Sequence, residues 1–107
     1  MKYIEKLESV DKKMIIDEHG LKITNDAILL SKFIKRYFDA KYKSKEKKSI
    51  LEIGAGQGII TLLLSEIQIF EKIFAVEIQE DIFKILKKNV KINNLEEKIT
   101  MINKNIK

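Results

Sequence analysis

Ser49-Ile50-Leu51-Glu52-Ile53-Gly54-Ala55-Gly56-Gln57-Gly58 is the stretch on which the fold turns. Its first half is a short apolar run of strand length, and its second half places three of the chain's four glycines at alternate positions. A short apolar run closed by glycine reads as a buried strand. Ile59, Ile60, Leu62, Leu63 and Leu64 follow immediately, so a helix is predicted to open at the loop and run to about Ile67.

Downstream the alternation repeats. Lys72-Ile73-Phe74-Ala75-Val76-Glu77 reads as a second strand. Asp81 to about Ile92 reads as an amphipathic helix, with Ile82, Ile85, Leu86 and Val90 inward and Lys84, Lys87, Lys88 and Lys91 outward. Asn93-Asn94 breaks that helix, and Ile99-Thr100-Met101-Ile102 supplies a third strand. The order strand, helix, strand, helix, strand predicts an α/β fold, the Rossmann-like βαβαβ half of a doubly wound parallel sheet.

Upstream the pattern is weaker. Tyr3 to Val10 has no assignment, whereas Lys13–Ile16 and Leu21–Ile23, around Asp17-Glu18-His19-Gly20, read as a β-hairpin with a solvated His19 in its turn. Thr24-Asn25-Asp26 offers N-cap side chains for a helix to about Phe38. Ala27, Leu30, Phe33, Ile34, Tyr37 and Phe38 recur at helical spacing and are expected to form its buried face. The lysine-rich run Lys41 to Lys48 has no period and is expected to be an exposed connection. The chain therefore divides into residues 1–48 (hairpin, helix and basic connection) and residues 49–107 (the half-domain).

Composition narrows the chemistry. With no cysteine and one histidine, disulfide scaffolds, thiol nucleophiles, zinc clusters and iron–sulfur sites have no material. No segment is long and apolar enough for a membrane span, and the first residues lack the apolar core of a signal peptide. These features point to a cytoplasmic protein without membrane or metal partners. The net charge of +5 suits a polyanionic partner such as RNA. It comes almost entirely from lysine, because Arg36 is the one arginine, so the charge alone does not identify a nucleic-acid contact.

The glycine loop carries the specific signal. Glycine where a strand turns into a helix lets a ligand approach the backbone, and the helix start adds N–H groups and the positive end of a dipole. Glu77 ends the next strand, 19 residues beyond Gly58, where a carboxylate can accept hydrogen bonds from both hydroxyls of a ribose. A dinucleotide fingerprint places its third glycine one residue later than Gly58. The order here is an acid followed by G-x-G-x-G, and in this Glu52-Ile53-Gly54-Ala55-Gly56-Gln57-Gly58 resembles the first motif of class I S-adenosylmethionine-dependent methyltransferases of small-domain type.

That resemblance implies roles. Glu52, Gly54, Gly56 and Gly58 would cradle the methionine end of S-adenosylmethionine, Glu77 would hold the ribose, and Ile78 would pack on adenine. Asn105, where the family commonly has an aspartate, would accept from the adenine amino group. The segment Gly20 to Leu30, with Ala75 to Glu80 and Lys88 to Leu95, further resembles the bacterial methyltransferases that modify an adenine N6 nitrogen in valine tRNA, with Lys22 for the usual Arg and Ile23 for the usual Phe. Such enzymes bind the target amine with an Asn/Asp-Pro-Pro-aromatic motif after a fourth strand, whereas this chain has no proline.

The expected function is the S-adenosylmethionine-binding portion of a methyltransferase acting, when complete, on an adenine amino group in tRNA. The expected chain is truncated before the target-binding motif, carries no catalytic residue of its own and transfers no methyl group alone. Two alternatives remain, an NAD- or flavin-binding module and a non-catalytic Rossmann-like interaction module. The first strand, lacking the fourth that would flank it, is also expected to leave an edge open to self-association.

Overall fold

The computed structural model describes residues 2–7, 12–17, 25–41 and 47–105. The elements in chain order are β1 (Lys2–Leu7), β2 (Lys12–Asp17), α1 (Asn25–Lys41), β3 (Lys48–Ile53), α2 (Ile59–Leu64), β4 (Phe70–Val76), α3 (Glu80–Ile92) and β5 (Ile99–Ile102). The strand–helix alternation from β3 onward is the predicted one, and β3, β4 and β5 form a parallel sheet in that order.

Register decides which side chains meet the helices. Ile50, Ile73 and Ile99 stand side by side across the three strands, as do Glu52, Ala75 and Met101 in the second row. Successive strand residues point to opposite faces, so these two rows share one face. Leu64, Ile67, Leu86 and Val90 join Ile73, Ala75 and Ile99 in one buried cluster, which places α2 and α3 on that face. Two right-handed crossovers in one direction along a sheet produce this arrangement. On the opposite face Leu51, Ile53 and Thr100 are exposed, with Phe74 and Ile102 half-buried. β3 is thus not the buried strand expected but alternates exposed and half-buried residues, because no layer of the described residues covers that face.

The N-terminal hairpin differs from its expected form. β2 pairs antiparallel with β1, from Lys2 opposite Asp17 to Leu7 opposite Lys12. The expected partner strand Leu21–Ile23, with His19 and Thr24, lies outside the described residues. The segment left without assignment is thus the strand that pairs. Met14 and Ile16 are fully buried against Leu62 and Leu63 of α2. Burying two such side chains is worth roughly 1.5–3 kcal/mol each, which docks the hairpin. Lys12 also reaches Glu66 at 2.7 Å across the same seam.

α1 runs three residues past Phe38, and its expected buried face is only partly buried. Ile34 and Phe38 pack on the cluster, and the Phe38 and Phe70 rings meet edge to face at 5.1 Å. Leu30, Phe33 and Tyr37 are exposed, as is Leu29. Helical spacing puts those residues near one another, but the described chain supplies no surface to cover the outer ones. Of the expected basic connection Lys41 to Lys48, Lys47 is exposed, whereas Lys41 ends α1 and the half-buried Lys48 opens β3; residues 42–46 lie outside the description.

Candidate functional site

The site lies at the carboxyl ends of β3 and β4. Gly54, Gly56 and Gly58 have φ of +75°, +61° and +103°, a region closed to most side chains. The expected strand–glycine–helix turn therefore exists, although α2 has six residues and stops at Leu64 rather than near Ile67. The three glycines differ in their surroundings. A Cβ placed on Gly54 or Gly56 meets nothing within 4 Å, whereas one on Gly58 falls 2.9 Å from Leu86 Cδ1. Gly58 is glycine because α3 packs against it. Gly54 and Gly56 face open space that a ligand can enter.

The loop's own donors are largely engaged. Gly54 and Ala55 N–H both donate to the Val76 carbonyl at 2.8 Å, and Gly58 N–H donates to the Ala55 carbonyl at 3.1 Å. Gly56 N–H donates to Glu77 Oε1 at 2.8 Å. What the loop offers a ligand is room rather than a row of free N–H groups.

Glu77 sits one residue beyond β4 and is buried, 5% exposed. Its second oxygen, Oε2, accepts from Gln79 N–H at 2.9 Å. The carboxylate is thus held at the loop by two backbone donors, one from each side of the crevice. Each oxygen keeps a second lone pair for a further donor. Ile78 beside it is exposed and offers an apolar surface at the crevice mouth.

Glu52, the last-but-one residue of β3, accepts a hydrogen bond from Thr61 Oγ1 of α2. Burial raises its carboxyl above the ordinary 4.5, partly offset by the Thr61 hydrogen bond. Asn105 lies past the end of β5 and is exposed. Asn103, which sequence reasoning did not single out, is the residue tied into the site. Its Nδ2 donates to the Glu77 and Ile78 carbonyls at 2.8 and 3.1 Å, and so holds the end of β5 beside the acid. Its only signal in the sequence is its place directly after an apolar strand.

The structure thus brings Glu77 to the glycine loop, sets Ile78 next to it, and ties Glu52, at the end of β3, to Thr61 of α2. These residues converge where an open parallel sheet binds ligands, outside the carboxyl ends of its strands. A loop with unfilled space at two glycines and a buried acceptor beside it fits a ligand with a ribose.

Comparison with known proteins agrees with this geometry. The chain resembles ribosomal protein L11 methyltransferase of Carboxydothermus hydrogenoformans, with 38% identity over 55 residues that cover 51% of this chain and 18% of that protein. Among solved structures, M. jannaschii TYW2 in complex with AdoMet superposes with a TM-score of 0.72 at 20% identity, over 95% of this chain and 42% of that one. The N-terminal domain of human METTL16 gives 0.73 at 23% identity, over 90% of this chain and 37% of that one. These structural likenesses establish the fold, and the chain spans less than half the length of each of these relatives. The sequence pattern described as ribosomal RNA adenine dimethylase matches residues 21–107, from ahead of α1 through the glycine loop to the last strand. With most of its length matched, the chain belongs to the ribosomal RNA adenine dimethylase family.

Proposed function

We propose that the crevice between the glycine loop and Glu77 holds S-adenosylmethionine, and that the chain is the cofactor-binding part of an RNA methyltransferase directed at an adenine amino nitrogen. The carrying observation is the pairing of unfilled space at Gly54 and Gly56 with a buried carboxylate acceptor that follows β4 and bonds to that loop. In this reading Gly54 and Gly56 leave room for the methionine end, Gly58 keeps the loop against α3, and Glu52 braces it by tying β3 to α2. Glu77 accepts from ribose hydroxyls, Ile78 covers the adenine ring, and Asn105 accepts from its amino group. The cofactor supplies an activated methyl group, so the protein's task is to hold donor and acceptor in line.

Family membership favours adenine as the target base. The resemblance of Gly20 to Leu30 and Lys88 to Leu95 to valine-tRNA methyltransferases favours tRNA as the carrier, in a cytoplasmic setting. The relatives' greater length supports reading this chain as one part of a longer enzyme, with the amine-binding groups elsewhere. Titration calorimetry of the chain with S-adenosylmethionine, S-adenosylhomocysteine and NAD tests the cofactor. Binding of the first two with no response to NAD is expected, and preference for NAD overturns the reading. Labelled methyl transfer by the longer enzyme to tRNA and rRNA transcripts separates the carriers.

A further inference from the structure

Asn89 lies in the apolar stripe of α3, between Leu86 and Val90, and is fully buried. A buried amide must satisfy its hydrogen bonds or cost stability. Asn89 does so outside its own helix. Its Oδ1 accepts from Ile15 N–H of β2, and its Nδ2 donates to the Ile15 carbonyl at 2.9 Å and to the Gln57 carbonyl at 2.7 Å. One turn along, Asn93 Oδ1 accepts from Lys13 N–H at 3.0 Å, and its Nδ2 donates to the Lys13 carbonyl at 2.7 Å. Asn93 Nδ2 also donates to the Asn89 carbonyl at 2.8 Å.

Two side-chain amides thus pair with alternate residues of β2, as a neighbouring strand would. The match is geometric. Four helical residues rise about 6 Å, close to the roughly 6.6–6.8 Å between alternate strand residues. β1 takes one edge of β2, and the amides of Asn89 in α3 and of Asn93 at its C-terminal cap take the other.

Gln57 stands between Gly56 and Gly58. Beyond its backbone bonds, the loop is therefore pinned by two side chains, at Gly56 N–H by Glu77 and at the Gln57 carbonyl by Asn89. We propose that Asn89 is a positioning residue for the glycine loop, and that docking of the N-terminal hairpin on α3 sets the loop's conformation through this one amide. Both Nδ2 hydrogens are committed, one to the hairpin and one to the loop, so the orientation that serves Ile15 also serves Gln57. When the hairpin leaves, Asn89 loses the pair of bonds that fix its amide plane, and its bond to Gln57 loses its fixed direction. Sequence reasoning identified α3's neighbouring apolar residues but gave Asn89 no part in the loop.

The significance for ligand binding rests on the crevice being the S-adenosylmethionine site, whereas the coupling itself does not. The experiment measures both on the 107-residue chain. Hydrogen exchange is followed for the native chain and for Asn89→Ala, Asn93→Ala and Val90→Ala, with S-adenosylhomocysteine affinity measured in parallel. Asn93→Ala loosens the hairpin without removing any loop contact, and Val90→Ala destabilises the same helix through the core alone. Asn89→Ala and Asn93→Ala are expected to raise exchange at Gly56 and Gly58 at least tenfold, while Ile73 and Ala75 stay protected. Affinity is expected to fall about tenfold in both, with little loss in Val90→Ala. If Asn89→Ala does not fold, Asn93→Ala carries the test. Unchanged loop exchange in Asn93→Ala, or a rise equal to that in Val90→Ala, overturns the coupling. Coupled exchange in a chain that binds no S-adenosylhomocysteine supports the positioning role and overturns the cofactor reading instead.

Discussion

The Gly56 backbone N–H donates to Glu77 Oε1 at 2.8 Å, joining residues 21 positions apart across the mouth of the crevice. This bond makes the acid part of the loop's own structure as well as a candidate ligand group. Removing the carboxylate has two separable consequences. Glu77→Ala leaves the Gly56 and Gln79 N–H groups without their acceptor and is expected to lower stability by roughly 1–3 kcal/mol. It is also expected to weaken S-adenosylmethionine binding by a comparable amount, through loss of charge-assisted hydrogen bonds. Urea unfolding reads the first, and calorimetry reads the second. Full affinity in this variant removes Glu77 from the site.

The glycines are expected to fail in different ways. Gly58→Ala places a Cβ against the fully buried Leu86 at φ +103°, so it should cost about 1–3 kcal/mol of stability by overpacking and strain. Gly56→Ala meets no neighbour and sits at φ +61°, where the backbone penalty is about 1–2 kcal/mol. Its larger effect should be on ligand affinity, because its methyl enters the space left open at the loop. Equal ratios of affinity loss to stability loss in the two variants would contradict this division.

Glu52 predicts a pH dependence. Its folded carboxyl is raised above 4.5, chiefly by burial, so the folded chain holds that proton more tightly than the unfolded chain. Its stabilising contribution is full below 4.5 and is lost as pH rises through the folded value. Above the folded value the fold carries a partly buried charge, which Glu52→Gln removes while keeping an acceptor for Thr61. The variant should have a higher urea midpoint than the native chain at pH 7, and the gain should vanish toward pH 4. A gain that grows on acidification contradicts the assignment.

β3 pairs only with β4, so among the described residues its other edge has no strand partner. Leu51 and Ile53 are exposed beside that edge, and an unpaired apolar edge is a template for another chain. The 107-residue chain on its own is expected to associate as its concentration rises. Light scattering should register this, and Leu51→Lys should suppress it. A dilution-resistant monomer with strong exchange protection from Ile50 to Ile53 would show that the edge is covered.

What the sequence determined by itself was the local and periodic part. The βαβαβ order, the glycine turn and the strand-end acid follow from patterns that repeat within ten residues or so, and the observed β5 has the predicted bounds. Tertiary structure decided everything that depends on which surfaces meet. Met14 and Ile16 alternate in a way that announces a strand, but nothing local tells that strand to pair with Lys2–Leu7. Leu30, Phe33 and Tyr37 share helical spacing with Ile34 and Phe38, yet spacing gathers residues on one side without saying what lies opposite, and those three remain exposed. Asn89 is the sharpest case. A polar residue in an apolar stripe reads as an interruption until the backbone of β2 and the carbonyl of Gln57 arrive beside it, 74 and 32 positions away. Hydrogen bonds between distant segments are satisfied in space rather than along the chain, so only the folded structure shows why that residue is an amide.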